Sequence, residues 1–354
     1  MTYKVGVVGF RRGAQLAQVF AAMPDCEISA ICDLDEQVLA CSRAQFPGAR
    51  TFADYGEMLR QGLDIAVVAT PVPMHAEHTI AALEAGCHVL QEVTLANSIA
   101  QCRAVLDAVR AHPRQKFMLA ENCCYWAQIM SWREMFAQGL LGEFMYGEAE
   151  YIHNISFLLR DAEGRPTWRA GLPPIYYCTH SLGPLLMVTG QRCVSACGLH
   201  TGSKLHRDLR HINMEVGIFH TNNGGVIKIL CGFGVVREPM FHYYSLYGTK
   251  GTLETARPPE SVHSHAYLEA VQHLQGMMQM PLGYDVPGAP PQARLGGHGT
   301  AEYYMIQAFL DSVRNDTRPP IDIYAALDMA LPGLCAHESA VNGGKPIPVP
   351  DWRE

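Results

Sequence analysis

Lys4-Val5-Gly6-Val7-Val8-Gly9-Phe10-Arg11-Arg12-Gly13-Ala14 is the stretch of this 354-residue chain whose reading decides the fold. Lys4 to Val8 is a short apolar run, the pattern of a buried strand. Gly9 to Ala14 is a turn, and Leu16, Val19, Phe20 and Met23 follow at the i, i+3, i+4, i+7 spacing of one helix face. A second apolar stretch, Glu27 to Cys32, ends in Asp33. Strand, glycine turn, helix, strand, acid is the dinucleotide-binding unit. Its glycines let backbone approach a pyrophosphate, and the helix N-terminus offers N–H groups and a positive dipole end. Asp33 stands where a carboxylate accepts hydrogen bonds from the adenosine ribose, which disfavours a 2′-phosphate and makes NAD the expected cofactor. The fingerprint departs from G-x-G-x-x-G at Arg11 and ends in Ala14. Gly9, Phe10, Arg11 and Arg12 are therefore the candidate contacts here, with the two arginines reaching for the phosphates.

Working outward, strands and helices keep alternating to about residue 122. Ile65 to Ala69 is an apolar strand ending at Thr70-Pro71, and Ala76 to Ala85 reads as a helix closed by Gly86. His88 to Leu90 is a strand ending at Gln91-Glu92, Ile99 to Ala111 is helical, and Phe117 to Ala120 is a further strand. Repeated units of this kind predict an α/β protein with a doubly wound parallel sheet, an N-terminal Rossmann domain over 1–122. Beyond it, a helix over Ile129 to Gln138 precedes longer strands at 144–152, 194–199, 213–221, 226–232 and 242–248. They predict a C-terminal α/β domain over 123–354 built on an open, mostly antiparallel sheet, with one face free for a partner subunit. Residues 281–299, rich in Pro and Gly, read as a loop. Two helices, about 302–315 and 324–341, close the chain, with the option of packing back on the first domain.

Bulk composition narrows the function classes. A net charge of −7 gives no basic footprint for nucleic acid or an anionic membrane. No apolar run approaches the length of a membrane span, and the first strand begins too near Met1 to leave room for a secretory leader. The 12 cysteines are scattered without zinc-finger spacing. Reduced thiols and a cytoplasmic location are the expectation, and no metal site is expected.

Ligands of open α/β sheets bind beyond the carboxyl ends of the strands. Thr70, Pro71, His75, Glu92 and Asn122 occupy such ends and are candidate cofactor contacts. A second cluster, Tyr176-Tyr177-Cys178-Thr179-His180, sets Tyr177 and His180 three residues apart, as on one helix face. Both side chains can move a proton at an alcohol carbon. A third, Gly296-Gly297-His298-Gly299, permits close approach of His298 to a ligand.

Together these segments resemble the Gfo/Idh/MocA oxidoreductase family over nearly the whole chain. The resemblance rests on Gly9, Asp33, Thr70-Pro71 with His75, the Ala82 to Val89 run, and Glu121-Asn122. It implies NAD(P)-dependent oxidation of a sugar or polyol. Most family dehydrogenases carry Glu-Lys-Pro where this chain has Glu92-Val93-Thr94, and valine cannot assist hydroxyl deprotonation. The branch that normally lacks that lysine, the family 109 glycoside hydrolases, is similar at Glu121 to Tyr125, Gly147 to His153, Tyr177 to Pro184 and Gly297-His298-Gly299. That similarity implies a cycle in which a tightly held NAD takes hydride from a sugar carbon, expected at C3, and later returns it. It implies Tyr177 and His180 as acid/base residues, and Tyr125, His153, Trp168 and His298 as sugar contacts. It also implies a homodimer or homotetramer through the C-terminal sheet. A net sugar or polyol dehydrogenase and a non-catalytic NAD or sugar sensor are the alternatives.

Overall fold

The computed structural model describes residues 2–258, 260 and 263–353. They divide into two units, Met1–Tyr125 with Gly288–Leu327, and Trp126–Pro287 with Asp328–Glu354. Each unit draws on two stretches, so the segment 288–327, which the sequence reading assigns to the C-terminal domain, clusters with the first unit.

The first unit runs β1 (Tyr3–Val8), α1 (Phe10–Ala21), β2 (Cys26–Cys32), α2 (Glu36–Gln45), β3 (Arg50–Phe52), α3 (Tyr55–Leu59), β4 (Ile65–Val68), α4 (His75–Glu84), β5 (His88–Gln91), α5 (Ile99–Ala111) and β6 (Phe117–Leu119). All six strands are parallel, in the order β3-β2-β1-β4-β5-β6. This is the doubly wound arrangement, with its switch point between β1 and β4. Val5, Val7, Ile31, Ile65, Val67 and Leu90 are fully buried, which is why these strands read as unbroken apolar runs. Asp35, Asp54 and Ser98 cap α2, α3 and α5 by accepting from the backbone N–H groups of Gln37, Glu57 and Gln101. Each such cap contributes about 1 kcal/mol.

The second unit carries α6 (Ala127–Ala137), β7 (Phe144–His153), α7 (Thr179–Thr189), β8 (Cys193–His200), β9 (Met214–Thr221), β10 (Val226–Phe233), β11 (Phe241–Gly248), β12 (Gly251–Thr255), β13 (Ser264–Leu268) and β14 (Met278–Met280). Helix α8 (Ala301–Arg314) belongs to the first unit, α9 (Ile323–Val341) contains the dividing point, and β15 (Ile347–Pro348) closes the second sheet. The nine strands order as β14-β13-β12-β11-β7-β10-β9-β8-β15. β7 and β10 pair in parallel, and the other described pairings are antiparallel. β12 to β14 were not anticipated from the sequence: they are short and lie among glycines, prolines and charges. Helix α7 packs on β7 and β11, while Met145, Val194, Ile218, Tyr247 and Tyr267 of the sheet stay exposed.

Most of the described cysteines are buried, and Cys41 on α2 alone among them is exposed. Burial pushes the Cys32 and Cys87 thiols up to about 11, and those of Cys26 and Cys335 up to about 12.

Candidate functional site

In the first unit the carboxyl ends of β1, β2, β4, β5 and β6 present the cofactor candidates. Gly9 adopts φ +83°, and a Cβ there would lie 2.5 Å from the Ala69 carbonyl oxygen. No L side chain fits that approach, so the start of α1 is backbone alone. Asp33 accepts from the Phe10 N–H at 2.8 Å through one oxygen and from the Asp35 N–H at 3.0 Å through the other. A carboxylate oxygen has a second lone pair, so both remain able to accept from ribose hydroxyls. The bare turn, the helix N-terminus and the acid at the end of β2 fit a dinucleotide.

Other candidates are built into the loops that frame this edge. His75 is buried, with Nδ1 2.7 Å from the Thr94 carbonyl oxygen and Nε2 2.7 Å from that of Thr70. It ties the two strand-end loops together. Gln91 donates to the Leu95 carbonyl at 2.9 Å and helps fix the Glu92–Leu95 loop, in which the Val93–Thr94 peptide is cis. Pro71 is exposed, Asn122 is buried, and Tyr125 is buried after it. Arg11 is exposed and paired with Asp35 at 2.7 Å.

Arg12 takes a different course from its neighbour. Its guanidinium donates to Glu92 at 2.8 Å, to Glu302 at 2.9 Å and to the Gly296 carbonyl at 3.2 Å, and also bonds Gln15. Glu302, in the first turn of α8, is fully buried and accepts from His298 Nδ1 at 2.5 Å. Burial works to raise the Glu302 carboxyl, but the hydrogen bond and charge of His298 with Arg12 prevail and hold it below the ordinary glutamate value. The glycines around His298 are needed for this packing. A Cβ on Gly296 would meet Glu302 at 2.5 Å, and Gly297 has φ +94° with Gln15 at 2.4 Å.

The second unit gathers a separate cluster. Tyr177 ends a 3-10 turn, Pro174–Tyr177, and His180 lies in the first turn of α7. The two therefore sit on consecutive elements rather than on the single helix their spacing suggested, yet their rings lie 6.1 Å apart. Arg169 donates to the Tyr177 hydroxyl oxygen at 3.3 Å. A cation at that oxygen stabilises negative charge developing there. Tyr151 and His153 are two apart on β7 and so share a face, with the Tyr151 hydroxyl 3.1 Å from His153 Nδ1. His242 on β11 is in register with Tyr151, and their rings stack at 4.2 Å. The Tyr151 ring also meets that of His180 edge-on at 5.4 Å. Burial, the largest effect, pushes His153 below the ordinary histidine value; Arg169 and His180 push the same way, against Glu238. Trp168 is half-buried, with the Arg169 guanidinium 4.4 Å from its ring centre.

A buried carboxylate supports the turn that carries Tyr177. Glu215 on β9 accepts from the Ile175 backbone N–H at 3.3 Å and from His337 Nδ1 of α9 at 2.7 Å. Arg169, Tyr151, His242, Glu215 and His337 were not among the candidates from the sequence. Only the Tyr151/His153 alternation could have been read there; the others depend on long-range pairings.

The structure thus brings Tyr177, His180, His153 and Trp168 into one unit with this aromatic and histidine cluster, and places His298 in the other unit on Glu302. Comparison with known proteins gives matches in both the N-terminal and the C-terminal part of the chain. Residues 3–120 match the family model described as "Oxidoreductase family, NAD-binding Rossmann fold", and residues 203–354 match "Glycosyl hydrolase 109, C-terminal domain". A family 109 glycosyl hydrolase protein of Solibacter usitatus is 28% identical, covering 99% of this chain and 88% of its own length. One from Saccharopolyspora erythraea is 26% identical, covering 99% and 83%. Among solved structures, levoglucosan dehydrogenase in complex with NADH and levoglucosan has the same fold, with a TM-score of 0.85 at 18% identity and coverage of 99% and 100%. The myo-inositol 2-dehydrogenase of Lactobacillus plantarum does so with a TM-score of 0.77 at 19% identity over 99% and 100%.

Proposed function

We propose that this NAD-binding member of the Gfo/Idh/MocA oxidoreductases, which carries the C-terminal domain of glycosyl hydrolase family 109, oxidises a ring hydroxyl of a sugar, at C3, within a redox-neutral glycoside-cleaving cycle. When bound, NAD supplies the hydride acceptor for the carbinol carbon and returns the hydride at the end. Gly9, Phe10, Arg11, Asp33, Thr70, Pro71, His75, Glu92 and Asn122 are the residues assigned to holding it. Tyr177 and His180 handle the protons. One removes the hydroxyl proton as C3 becomes a ketone; a base then takes the C2 proton, whose acidity the ketone raises because the carbanion is an enolate. The C1–oxygen bond breaks with the leaving group protonated, and water adds to the resulting enone. Tyr125, His153, Trp168 and His298 are assigned to the sugar. No lysine follows Glu92, where Val93 is buried and apolar, so proton transfer at C3 must fall to other groups.

The observation that carries this reading is the 3.3 Å contact of Arg169 with the Tyr177 oxygen. A tyrosine acts as a base near neutrality only if its anion is stabilised, and a fixed guanidinium supplies that. The exposed sheet residues Ile218, Tyr247 and Tyr267, with the Lys228–Glu148 ion pair among them, mark the surface assigned to a homo-oligomer.

The test is a panel of glycosides in D₂O, followed by NADH absorbance and by deuterium at C2. Free sugar deuterated at C2 without net NADH supports the cycle. Stoichiometric NADH with no cleavage makes the protein a sugar dehydrogenase, and binding without turnover or exchange makes it a sensor. On a turned-over substrate, Tyr177→Phe and His180→Ala each lower kcat by about 10²-fold or more; full activity in both removes them from the mechanism.

A further inference from the structure

The arginine in the dinucleotide turn faces inward to protein carboxylates. All three guanidinium nitrogens of Arg12 are engaged: Nε by Glu92, Nη2 by Glu302, and Nη1 by the Gly296 carbonyl and Gln15. An arginine has five N–H donors in a rigid fork, and a fork filled this way has little left for a phosphate. Its position in the sequence suggests a cofactor ligand, while its contacts make it the counter-cation of a buried acid.

That acid serves a single histidine. Glu302 Oε1 is shared by Arg12 Nη2 at 2.9 Å and His298 Nδ1 at 2.5 Å, and Oε2 accepts from the His298 backbone N–H at 3.3 Å. The carboxylate side chain is 0% exposed, whereas the imidazole is 41% exposed. Gly296 and Gly297 let the loop close over Glu302 and Gln15 without a clash. A neutral imidazole that donates from one nitrogen must accept at the other, and its ring orientation is set by the group that takes the donated proton.

We propose that Glu302, held by Arg12, is a positioning residue that keeps the His298 proton on Nδ1 and leaves Nε2 as a proton acceptor toward a sugar hydroxyl. The inference rests on the reading of His298 as a sugar contact and adds to it a role: His298 takes or returns a hydroxyl proton, and Glu302 and Arg12 act only through it. Arg12 neutralises the buried carboxylate, which by itself would be forced to bind a proton and would then donate to, instead of accept from, the ring.

The experiment is NMR of full-length protein labelled in its histidine rings, with His298 assigned from the signal lost in His298→Asn. Spectra are taken where the ring is neutral, and ring ¹³C and ¹⁵N shifts report which nitrogen carries the proton. The expected result is a proton on Nδ1 in the native protein, its transfer toward Nε2 in Glu302→Ala, and recovery of the native pattern in Glu302→Gln, whose amide oxygen can still accept. On a turned-over glycoside, kcat falls by about 10²-fold in Glu302→Ala with KM within about threefold, and Glu302→Gln regains part of it. A proton on Nε2 in the native protein overturns the positioning role even if Glu302→Ala does not fold. An unchanged tautomer in a folded Glu302→Ala overturns it as well. Full turnover by His298→Asn with the tautomer shifts as expected overturns instead the assignment of His298 to the sugar, and with it the catalytic part of this inference.

Discussion

The two units each contain a histidine bound through Nδ1 to a fully buried glutamate, and the surroundings of the two pairs differ. In the first unit His298 meets Glu302 at 2.5 Å, and in the second His337 meets Glu215 at 2.7 Å. The carboxylates are equally buried, but His298 is 41% exposed and His337 is 18% exposed. Their other partners differ too. Glu302 is balanced by a guanidinium, while Glu215 accepts a backbone N–H from the turn that ends in Tyr177. A carboxylate–histidine pair is therefore not a signature of a task. A cation behind the carboxylate and an open ring in front suit the base proposed for His298, whereas a backbone donor and a less exposed ring suit a brace.

The sharpest way to break this comparison is Glu215→Ala. It strands the buried Ile175 N–H and the half-buried His337 ring, and the expected loss is about 3 kcal/mol of stability in urea unfolding. A loss under about 1 kcal/mol would show that Glu215 does not brace the turn. In the other pair the backbone is the sensitive point. Gly297→Ala forces a side chain into a left-handed conformation against Gln15, with an expected cost of about 1–2 kcal/mol and weakened substrate binding; a neutral result would mean that the loop is free to choose another path.

Acid gives a test of the Glu302–Arg12 contact. The folded-state value of Glu302 lies below its ordinary 4.5, so its charge stabilises the protein above that value, and the contribution is lost as pH falls through the lower folded-state value. Glu302→Gln should accordingly show a shallower fall of stability below about pH 4.5 than the native chain does. An unchanged acid limb would argue against the Arg12 clamp. The smallest effect is expected from Arg11→Ala, since the exposed Arg11–Asp35 pair contributes under about 0.5 kcal/mol. A larger change in its melting curve would erase the contrast with Arg12, its neighbour in sequence.

How far the sequence could be read follows the length of the apolar pattern for the strands and the range of the contacts for the site. The first sheet was legible because buried parallel strands are unbroken apolar runs, and helix Ile99–Ala111 could be bounded to the residue. Strands β12 to β14 were not, although each pairs with a strand adjacent in sequence, because they are only three to five residues long and their apolar content is thin. Gly297 and His298 could be found from local pattern alone. Nothing local links Arg12 to Glu302, which lie 290 residues apart, or His337 to Glu215, which lie 122 apart. The sequence could show that Arg11 stands at the usual glycine of the turn, while the counter-charge on its neighbour Arg12 becomes visible only once Glu302 of α8 is in place. The Tyr177/His180 spacing suggests one helix face, whereas the two residues lie on a 3-10 turn and the helix start that follows it, which also brings their rings to 6.1 Å.

The distribution of thiols has a practical consequence. Cys41 is the one exposed cysteine among those described, and the burial of most others withholds them from solvent as well as from ionisation. Native protein should consume about one equivalent of a bulky thiol reagent quickly. The remaining cysteines, spread from Cys87 and Cys102 to Cys231 and Cys335, would react only as their surroundings open. Brief labelling followed by peptide mapping would then give separate opening rates for the two units, from native side chains and without an introduced probe.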